Sequence, residues 1–270
     1  MEYQVSNGTI NYETIGEGSS LLFLHSMGTD HRSMKAWAEP IFENMENIKR
    51  IYIDIPAHGY SKINHNLQST KDILNNLLEF IDGLLLEESF SIIGHSFGGY
   101  LAQGIMHNRM DMVKGICLMA SALHIKNRTL PEKVVIEKDE SLLDGLDADI
   151  RLAFETLMIY QNKEKLELFL KEIQPGRLVA NRDFLSSNWK EKGYFLSEKP
   201  FEQISNIVQP TLIIAGKQDS ICGYKDYVTL LDLFSNSTVA FIDGAGHMIQ
   251  MDKRELVQAL VKDWLNKIYL

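Results

Sequence analysis

The chain has 270 residues, 45% of them hydrophobic and 23% charged, so it is long enough to bury one sizeable core. This composition excludes disordered, collagen-like and coiled-coil chains. Lys and Arg total 27 against 36 for Asp and Glu, and the resulting net charge of −9 predicts that nucleic acid is not a partner.

The N-terminal segment predicts a β-hairpin that leads into a buried strand. Glu2–Ser6 and Thr9–Ile15 alternate like strands around the turn-prone pair Asn7-Gly8. The apolar run Leu21–Leu24 follows and predicts a third strand.

Short β-rich runs then alternate with longer helical patterns, which is typical of a mostly parallel sheet with helices on both faces. The predicted strands are Ile51–Ile55, Ser91–Gly94 and Val113–Met119, and the predicted helices are Thr70–Leu86 and Phe97–Asn108.

From about residue 121 the alternation stops, and helical periods over Leu152–Tyr160 and Leu166–Ile173 predict an inserted helical subdomain. The sheet pattern returns with strands Thr211–Ala215 and Thr238–Ile242 and with helices Tyr224–Phe234 and Glu255–Leu265. We therefore predict a core made of residues 1–120 and 204–270, interrupted by residues 121–203.

A candidate nucleophile lies between a predicted strand and a predicted helix. Gly94-His95-Ser96-Phe97-Gly98 has the pattern G-x-S-x-G. The flanking glycines permit a sharp turn, which holds the Ser96 hydroxyl outward at a helix N-terminus. From that position Ser96 can attack a carbonyl carbon, provided that a base and an orienting acid lie nearby.

His247 is the best candidate for the base among eight histidines, because Gly244-Ala245-Gly246-His247 directly follows a predicted strand. We interpret the other seven as structural. Asp219 is the preferred acid, since it also follows a strand, while Asp243 is the alternative. We expect the Ser96 Oγ–His247 Nε2 and His247 Nδ1–Asp219 contacts both to approach hydrogen-bond distance, about 2.6 to 3.2 Å or somewhat longer without a ligand.

The chain order Ser96, Asp219, His247, with each residue after a separate strand, resembles that of the α/β-hydrolase fold. The resemblance covers essentially the whole chain. It implies a mostly parallel eight-stranded sheet flanked by helices, with residues 121–203 as a helical lid above the strand ends.

Two further segments carry the resemblance. His25-Ser26-Met27-Gly28 looks like the family's oxyanion loop, and Asp54–Ser61 resembles its D-x-P-G-H-G-x-S segment. This chain departs from the pattern at Ser26 and Ala57, where many members have Gly. By the resemblance, the backbone N–H groups of Met27 and Phe97 would form the oxyanion hole.

Haloalkane dehalogenases and epoxide hydrolases of this family carry an aspartate at the nucleophile position, whereas this chain has Ser96. The resemblance therefore implies a serine hydrolase of a small carboxylic ester, thioester or lactone, acting through an acyl-enzyme. The segment His25–Asp30 together with Trp37 resembles a loop of 3-oxoadipate enol-lactonases. Two alternatives use the same fold: a C–C bond hydrolase or lyase, and a slow-turnover receptor for a small molecule.

Four bulky residues of the predicted lid could line a pocket, but we interpret each as ordinary helix-packing core, because helical spacing does not indicate which face looks toward Ser96. They are Met158, Tyr160, Phe169 and Trp189.

No metal or organic cofactor is predicted, because the sequence has neither H-E-x-x-H nor a phosphate-binding G-x-x-x-x-G-K-[ST]. Cys117 and Cys222 are too few for a disulfide framework and have no zinc spacing. Met1–Gln4 does not begin a secretory signal, and no window reaches the roughly 18 apolar residues of a membrane span. We expect a cytoplasmic protein that acts on a small molecule, and the sequence does not indicate its oligomeric state.

Overall fold

The computed structural model describes residues 1–269, and its largest element is a nine-stranded sheet. Its strands are β1 (Glu2–Val5), β2 (Gly8–Ile15), β3 (Ser19–Leu24), β4 (Ile48–Ile53), β5 (Lys62–Ile63), β6 (Phe90–His95), β7 (Val113–Met119), β10 (Thr211–Gly216) and β11 (Ser237–Ile242). The strand order is β1-β2-β4-β3-β6-β7-β10-β11, and the short β5 pairs with β2. The eight predicted strands are confirmed, and β5 adds a ninth that the sequence pattern did not indicate.

The sheet is parallel from β4 through β3, β6, β7 and β10 to β11, and antiparallel at its β1–β2 edge. Every residue of β6 and β10 is buried, because helices cover both faces of the sheet there. Parallel pairing places the carboxyl ends of β6, β10 and β11 on one edge, so the loops that follow these strands converge.

Four helices form the outer layers of the sheet: α1 (Arg32–Ala38), α2 (Thr70–Leu85), α3 (Phe97–Asn108) and α12 (Arg254–Tyr269). Leu22 and Leu24 belong to the core that contains α2 and α3. Leu21 and Phe23 belong to the opposite core, with α1 and α12. This alternation follows from the two-residue period of a strand.

Residues 121–203, here called the insertion, connect β7 to β10. Their elements are β8 (Glu137–Lys138), α4 (Glu140–Leu143), α5 (Ala148–Leu157), β9 (Tyr160–Gln161), α6 (Lys163–Glu172), α7 (Gln174–Val179), α8 (Arg182–Ser186) and α9 (Trp189–Gly193). The helix predicted to continue to Tyr160 ends at Leu157, since Met158 is extended and Tyr160 pairs with Glu137 of β8.

Two further short helices follow the insertion, α10 (Val228–Leu231) and α11 (Ile249–Asp252). The helix predicted over Tyr224–Phe234 is only a short 3-10 turn, Lys225–Tyr227, followed by α10. Beyond α10 the chain is no longer helical, and Phe234 pairs with Ile207 in an isolated bridge. Among residues 1–269, no helix combines the length and the apolar character that crossing a bilayer requires.

Candidate active site

Ser96 occupies a strained turn between β6 and α3. Its backbone has φ 55° and ψ −116°, a conformation that costs an L-residue free energy. A Cβ on Gly94 would lie 2.5 Å from the Gly98 carbonyl oxygen, and a Cβ on Gly98 would lie 2.3 Å from that of Leu24. Both glycines are therefore sterically required for the turn. The Ser96 hydroxyl does not cap α3, which leaves it available at the helix N-terminus.

Asp219 and His247 form a buried hydrogen-bonded pair at the ends of β10 and β11. His247 Nδ1 donates to Asp219 Oδ2 across 3.0 Å. The other carboxylate oxygen accepts from the backbone N–H groups of Ile221, at 2.8 Å, and Cys222, at 3.0 Å. These bonds hold the carboxylate in place and orient the imidazole so that Nε2 is the free nitrogen.

The two groups shift each other's pKa. Burial opposes the charged form of His247, but the negative charge and hydrogen bond of Asp219 dominate and raise the His247 pKa above its ordinary value. Burial likewise opposes the charge of Asp219, and His247 lowers the Asp219 pKa below its usual range. The alternative acid, Asp243, is exposed and accepts instead from Gln218 Nε2 at 3.0 Å.

Ser96 and His247 line the same cavity, yet no hydrogen bond joins them among the contacts of residues 1–269. The predicted Ser96 Oγ–His247 Nε2 hydrogen bond is therefore not formed, and the close approach of the two atoms stays a prediction. Hydrogen bonds between such groups are often long or poorly aligned before substrate binds, so the unformed bond does not contradict the proposed pairing. His95 supports the His247 loop from below, since its Nε2 donates to the His247 carbonyl oxygen at 2.9 Å.

Met27 and Phe97 lie beside Ser96 on two different segments and also line this cavity. Neither backbone N–H has a hydrogen-bond partner within the described part of the chain. Met27 lies in a turn closed by a bond from Thr29 N–H to the Ser26 carbonyl oxygen, 3.3 Å long, with Gly28 at φ 77°. Phe97 is the first residue of α3, where an N–H has no partner within the helix.

A buried histidine fixes the turn that contains Met27. His25 Nε2 accepts from the Ile55 N–H at 3.0 Å, so its Nδ1 carries the proton and donates to the Ser26 carbonyl oxygen at 2.8 Å. Burial lowers the pKa of His25, which favours this neutral form. Ser26 does not disturb the turn, because its hydroxyl lies 3.2 Å from Thr29 Oγ1.

The segment Asp54–Ser61 supports this turn from behind. The Asp54 carboxylate accepts from His31 Nδ1 at 2.8 Å and from the Tyr60 N–H at 2.9 Å. Burial raises the pKa of Asp54, but the hydrogen bond and charge of His31 outweigh it and lower the pKa below its usual range. Ala57 has φ 69°, the left-handed conformation that Gly adopts at no steric cost.

The cavity above Ser96 has a volume of about 310 Å³. Besides Ser96, His247, Met27 and Phe97, it is lined by Ser26, Ala122, Arg128, Leu157, Lys190, Tyr194, Ile221 and Cys222. A larger groove, about 620 Å³, lies on the surface beside α1 and contains none of the predicted site residues.

None of the four bulky lid residues weighed from the sequence lines the cavity above Ser96. Met158 and Phe169 pack in the insertion's own core, Trp189 stacks on Phe184, and the Tyr160 hydroxyl donates to the Gly244 carbonyl oxygen. All four are thus structural contacts, although Met158 and Tyr160 make theirs from extended backbone and not from a helix.

The cavity residues that the sequence analysis missed come from loops and short helices. They are Arg128, Leu157, Lys190, Tyr194 and Cys222. No motif marks them as cavity residues, because only the fold brings the insertion together with the loop after β10 that carries Cys222.

Two buried clusters bring metal-ligating atoms within 4.8 Å of one another: Asp219, Cys222 and His247, and Asp30, His31 and Asp54. In the first, both oxygens of Asp219 already accept hydrogen bonds. In the second, Asp30 binds Arg32 and Asp54 binds His31. These protein contacts account for the close approach of the side chains.

Similarity to known proteins extends over nearly all of the chain. The profile of the family described as serine aminopeptidase, S33, matches residues 19–254. An α/β superfamily hydrolase from Oenococcus oeni has a similar structure over 100% of both chains, with a TM-score of 0.87 and 24% identity.

Two curated relatives are similar at lower identity. (E)-2-((N-methylformamido)methylene)succinate hydrolase of Acinetobacter baylyi is 23% identical over 96% of this chain and 95% of the relative. 2-Hydroxymuconate semialdehyde hydrolase of a Pseudomonas species is 24% identical over 94% of this chain and 89% of the relative. Each similarity spans the sheet and the insertion together.

Proposed function

Because this chain belongs to the serine aminopeptidase S33 family of α/β-hydrolases, we propose that it is a serine hydrolase of a small carboxylic ester, thioester or lactone. One observation carries the proposal. The strained Ser96 turn and the Asp219–His247 hydrogen-bonded pair open into the same cavity. A nucleophile, a base and an orienting acid on three separate strand ends are what acyl transfer requires.

In the proposed acylation step, Ser96 Oγ attacks the scissile carbonyl carbon and its proton moves to His247 Nε2. The carbonyl π electrons move to oxygen and form a tetrahedral oxyanion. Asp219 stays ionised and stabilises the imidazolium through the Nδ1–H bond. The intermediate then collapses, the bond to the leaving group breaks, and the leaving group takes the proton from His247 Nε2.

Deacylation repeats these steps with water as the nucleophile. His247 Nε2 accepts a proton from water as the water oxygen bonds to the acyl carbon, and the second tetrahedral intermediate expels Ser96 Oγ. Ser96 recovers its proton from His247, and the carboxylic acid leaves. Water and substrate are therefore the only reactants in the balanced reaction.

The backbone N–H groups of Met27 and Phe97 are the proposed oxyanion donors. Their lack of partners within residues 1–269 supports this role. Removal of one such donor typically costs about 3 kcal/mol of transition-state stabilisation. Any substitution except proline leaves a main-chain donor in place, so His25, which holds the Ser26 carbonyl oxygen, is a residue through which the position of the Met27 donor can be disturbed.

We also propose that the insertion, residues 121–203, is the lid of the active site. Arg128, Leu157, Lys190 and Tyr194 all come from it and line the cavity above Ser96. These contacts support a covering role and a part for the insertion in substrate selection.

A C–C bond hydrolase is the second candidate function, because a similar relative is named 2-hydroxymuconate semialdehyde hydrolase. This reaction would use the same Ser96, His247 and Asp219. It differs in the bond that breaks, so the two candidates are separated by substrate and not by site.

Hydrolysis of 4-nitrophenyl esters of increasing acyl length tests the proposal. We expect wild-type turnover to fall by at least about 10⁴-fold in Ser96→Ala, since only background catalysis survives loss of the nucleophile. Ser141→Ala, which changes an exposed serine at the start of α4, is the matched control and should retain the wild-type rate.

Equal rates in wild type and Ser96→Ala would contradict the serine mechanism. Turnover of 2-hydroxymuconate semialdehyde without turnover of any ester would favour the C–C hydrolase. A burst of one nitrophenolate per chain, followed by no turnover, would favour the slow receptor.

A further inference from the structure

One wall of the cavity above Ser96 carries positive charge. Arg128 and Lys190 both line it, and no described residue that lines it is Asp or Glu. Asp219 is the nearby carboxylate, but it is buried behind His247, and its oxygens accept hydrogen bonds from protein groups. The open space of the cavity is therefore electropositive.

Arg128 is fixed in an orientation that leaves donors unused. Its Nη1 donates to the Ile221 carbonyl oxygen at 3.1 Å and lies 3.9 Å from Cys222 Sγ. Its Nη2 donates to the Tyr194 hydroxyl oxygen at 3.1 Å. A guanidinium has five N–H donors, so at least two of them have no partner within the described chain.

These contacts place the guanidinium beside the reaction centre. Cys222 directly follows the Asp219 loop, whose backbone N–H groups hold the acid. On its other side, Arg128 packs against Tyr194, whose ring lies 6.0 Å from that of Phe97, the residue after Ser96. A charged group bound by Arg128 would thus belong to the molecule that Ser96 attacks.

Neither cation has an ion-pair partner among the salt bridges of residues 1–269. Arg128 is half-buried, so solvent screens its charge only partly and an anionic ligand would interact with it more strongly than at an exposed site. Lys190 lies nearer the rim, and burial lowers the pKa of Lys190. Other surface arginines of the insertion, such as Arg151, face carboxylates, which makes Arg128 an exception.

We propose that Arg128 and Lys190 form an anion subsite that binds a carboxylate carried by the substrate. Met27, Leu157 and Ile221 complete the walls, so the preferred ligand has an apolar body and one anionic end. The planar guanidinium suits a carboxylate, since its N–H groups can bind both oxygens. This inference rests on the proposed serine hydrolysis at Ser96.

Matched esters that differ only in charge test the subsite. The 4-nitrophenyl half-esters of glutarate, adipate and pimelate are compared with 4-nitrophenyl pentanoate, hexanoate and heptanoate, after subtraction of spontaneous hydrolysis. On the leaving-group side, 4-carboxyphenyl hexanoate is compared with 4-acetylphenyl hexanoate. We expect at least one carboxylate ester to have a kcat/KM about 10- to 100-fold above its neutral partner, as a charge-assisted contact provides.

Each variant is judged by the ratio of kcat/KM for the carboxylate ester to kcat/KM for its neutral partner, because a general loss of activity cancels in this ratio. Arg128→Gln should bring the ratio close to one, whereas Arg128→Lys should retain part of it. Lys190→Gln should lower the ratio by a smaller factor. This variant should fold normally, because Lys190 makes no ion pair within the described chain. Arg151→Gln is the matched control and should leave the ratio unchanged.

Binding of adipate to Ser96→Ala, measured by calorimetry, provides a readout that does not need turnover. We expect Arg128→Gln to weaken this binding by at least about tenfold. Ester turnover that depends on Ser96 but shows no preference for a carboxylate on either side would overturn the subsite and leave the proposed function intact.

Equal losses for charged and neutral esters in Arg128→Gln would also overturn the subsite, since they indicate a structural role only. Absence of all ester turnover would instead contradict the proposed function. In that case adipate binding decides the subsite: binding that depends on Arg128 supports it, and no binding overturns it.

Discussion

Asp219 and Asp243 illustrate how burial, and not nearness in sequence, separates two carboxylates that each follow a strand, since Asp219 lies 28 residues from His247 and Asp243 only four. Asp219 is fully buried and shares its oxygens between His247 Nδ1 and two backbone N–H groups. Asp243 is exposed and contacts Gln218. A buried charge interacts more strongly with its partner than an exposed one, because solvent screens it less.

We therefore predict that Asp219→Asn lowers kcat for ester hydrolysis by about 10⁴-fold, the loss expected when the imidazole tautomer is no longer fixed. Asp243→Asn, its matched control, should remain within about twofold of wild type. Both are measured on the best 4-nitrophenyl ester, with folding checked by circular dichroism. Comparable losses of kcat in the two variants would contradict the assignment of Asp219 as the acid.

The pH profile gives a second readout of the same pair. Because Asp219 raises the pKa of His247, the free enzyme keeps His247 protonated to a higher pH than an isolated imidazole would. Only neutral His247 accepts a proton, so kcat/KM should rise with pH. The midpoint of this rise should lie above about 6.5, the ordinary pKa of histidine. In Asp219→Asn the residual activity should show this limb at lower pH.

The strand–turn–helix element of β6 and α3 depends on close backbone approach. A Cβ on Gly98 would lie 2.3 Å from the Leu24 carbonyl oxygen and 2.5 Å from that of His25. These are main-chain atoms of β3 and of the loop that leads to Met27, so they cannot move independently of the sheet. The nucleophile turn and the loop with Met27 are thus held at one fixed separation.

We expect Gly98→Ala to push α3 away from β3, with a loss of about 1–3 kcal/mol in the free energy of unfolding. Ester turnover should fall further than stability alone explains, since Ser96 and Met27 separate. Gly145→Ala is the control, because nothing lies within 4 Å of a Cβ there and its backbone lies outside the left-handed region. Urea unfolding measures both, and a fully active Gly98→Ala protein would contradict the steric argument.

At the scale of the whole molecule, the insertion is tied to the sheet domain by an ion pair between partly buried Arg254 and buried Glu172. Arg254 of α12 donates to both oxygens of Glu172 in α6, at 3.0 and 2.6 Å. Glu172 is 4% exposed. The Asn181 N–H adds a second tie, through a 3.0 Å bond to the Ala57 carbonyl oxygen. The insertion and the core are therefore expected to unfold together.

Removal of Arg254 tests this coupling. Arg254→Met leaves Glu172 buried without a counter-charge, and we expect a loss of about 3 kcal/mol in the free energy of unfolding. Adding Glu172→Leu should recover most of it, because the uncompensated charge is then gone. Lys171→Met, at the neighbouring exposed position, should change stability by less than about 0.5 kcal/mol. A two-step unfolding curve in wild type would disprove the coupling.

Much of the architecture follows from local sequence. Three patterns are local in sequence: the alternation of the strands, the helical periods of α2 and α3, and the G-x-S-x-G turn. The sheet and the Ser96 turn were therefore predictable. Asp219 and His247 were found because both follow strands, and the carboxyl ends of parallel strands converge.

Only the tertiary structure determined what surrounds Ser96. Arg128, Lys190 and Cys222 carry no local pattern, and they share a cavity because the insertion, which contains Arg128 and Lys190, folds over the loop after β10, which contains Cys222. The bulky lid residues that were weighed from their type, such as Trp189 and Phe169, proved to be packing residues. Helical periodicity specifies that one face of a helix is apolar, but it does not specify which surface that face packs against. The charge and shape of a pocket depend on contacts between segments that are far apart in the chain.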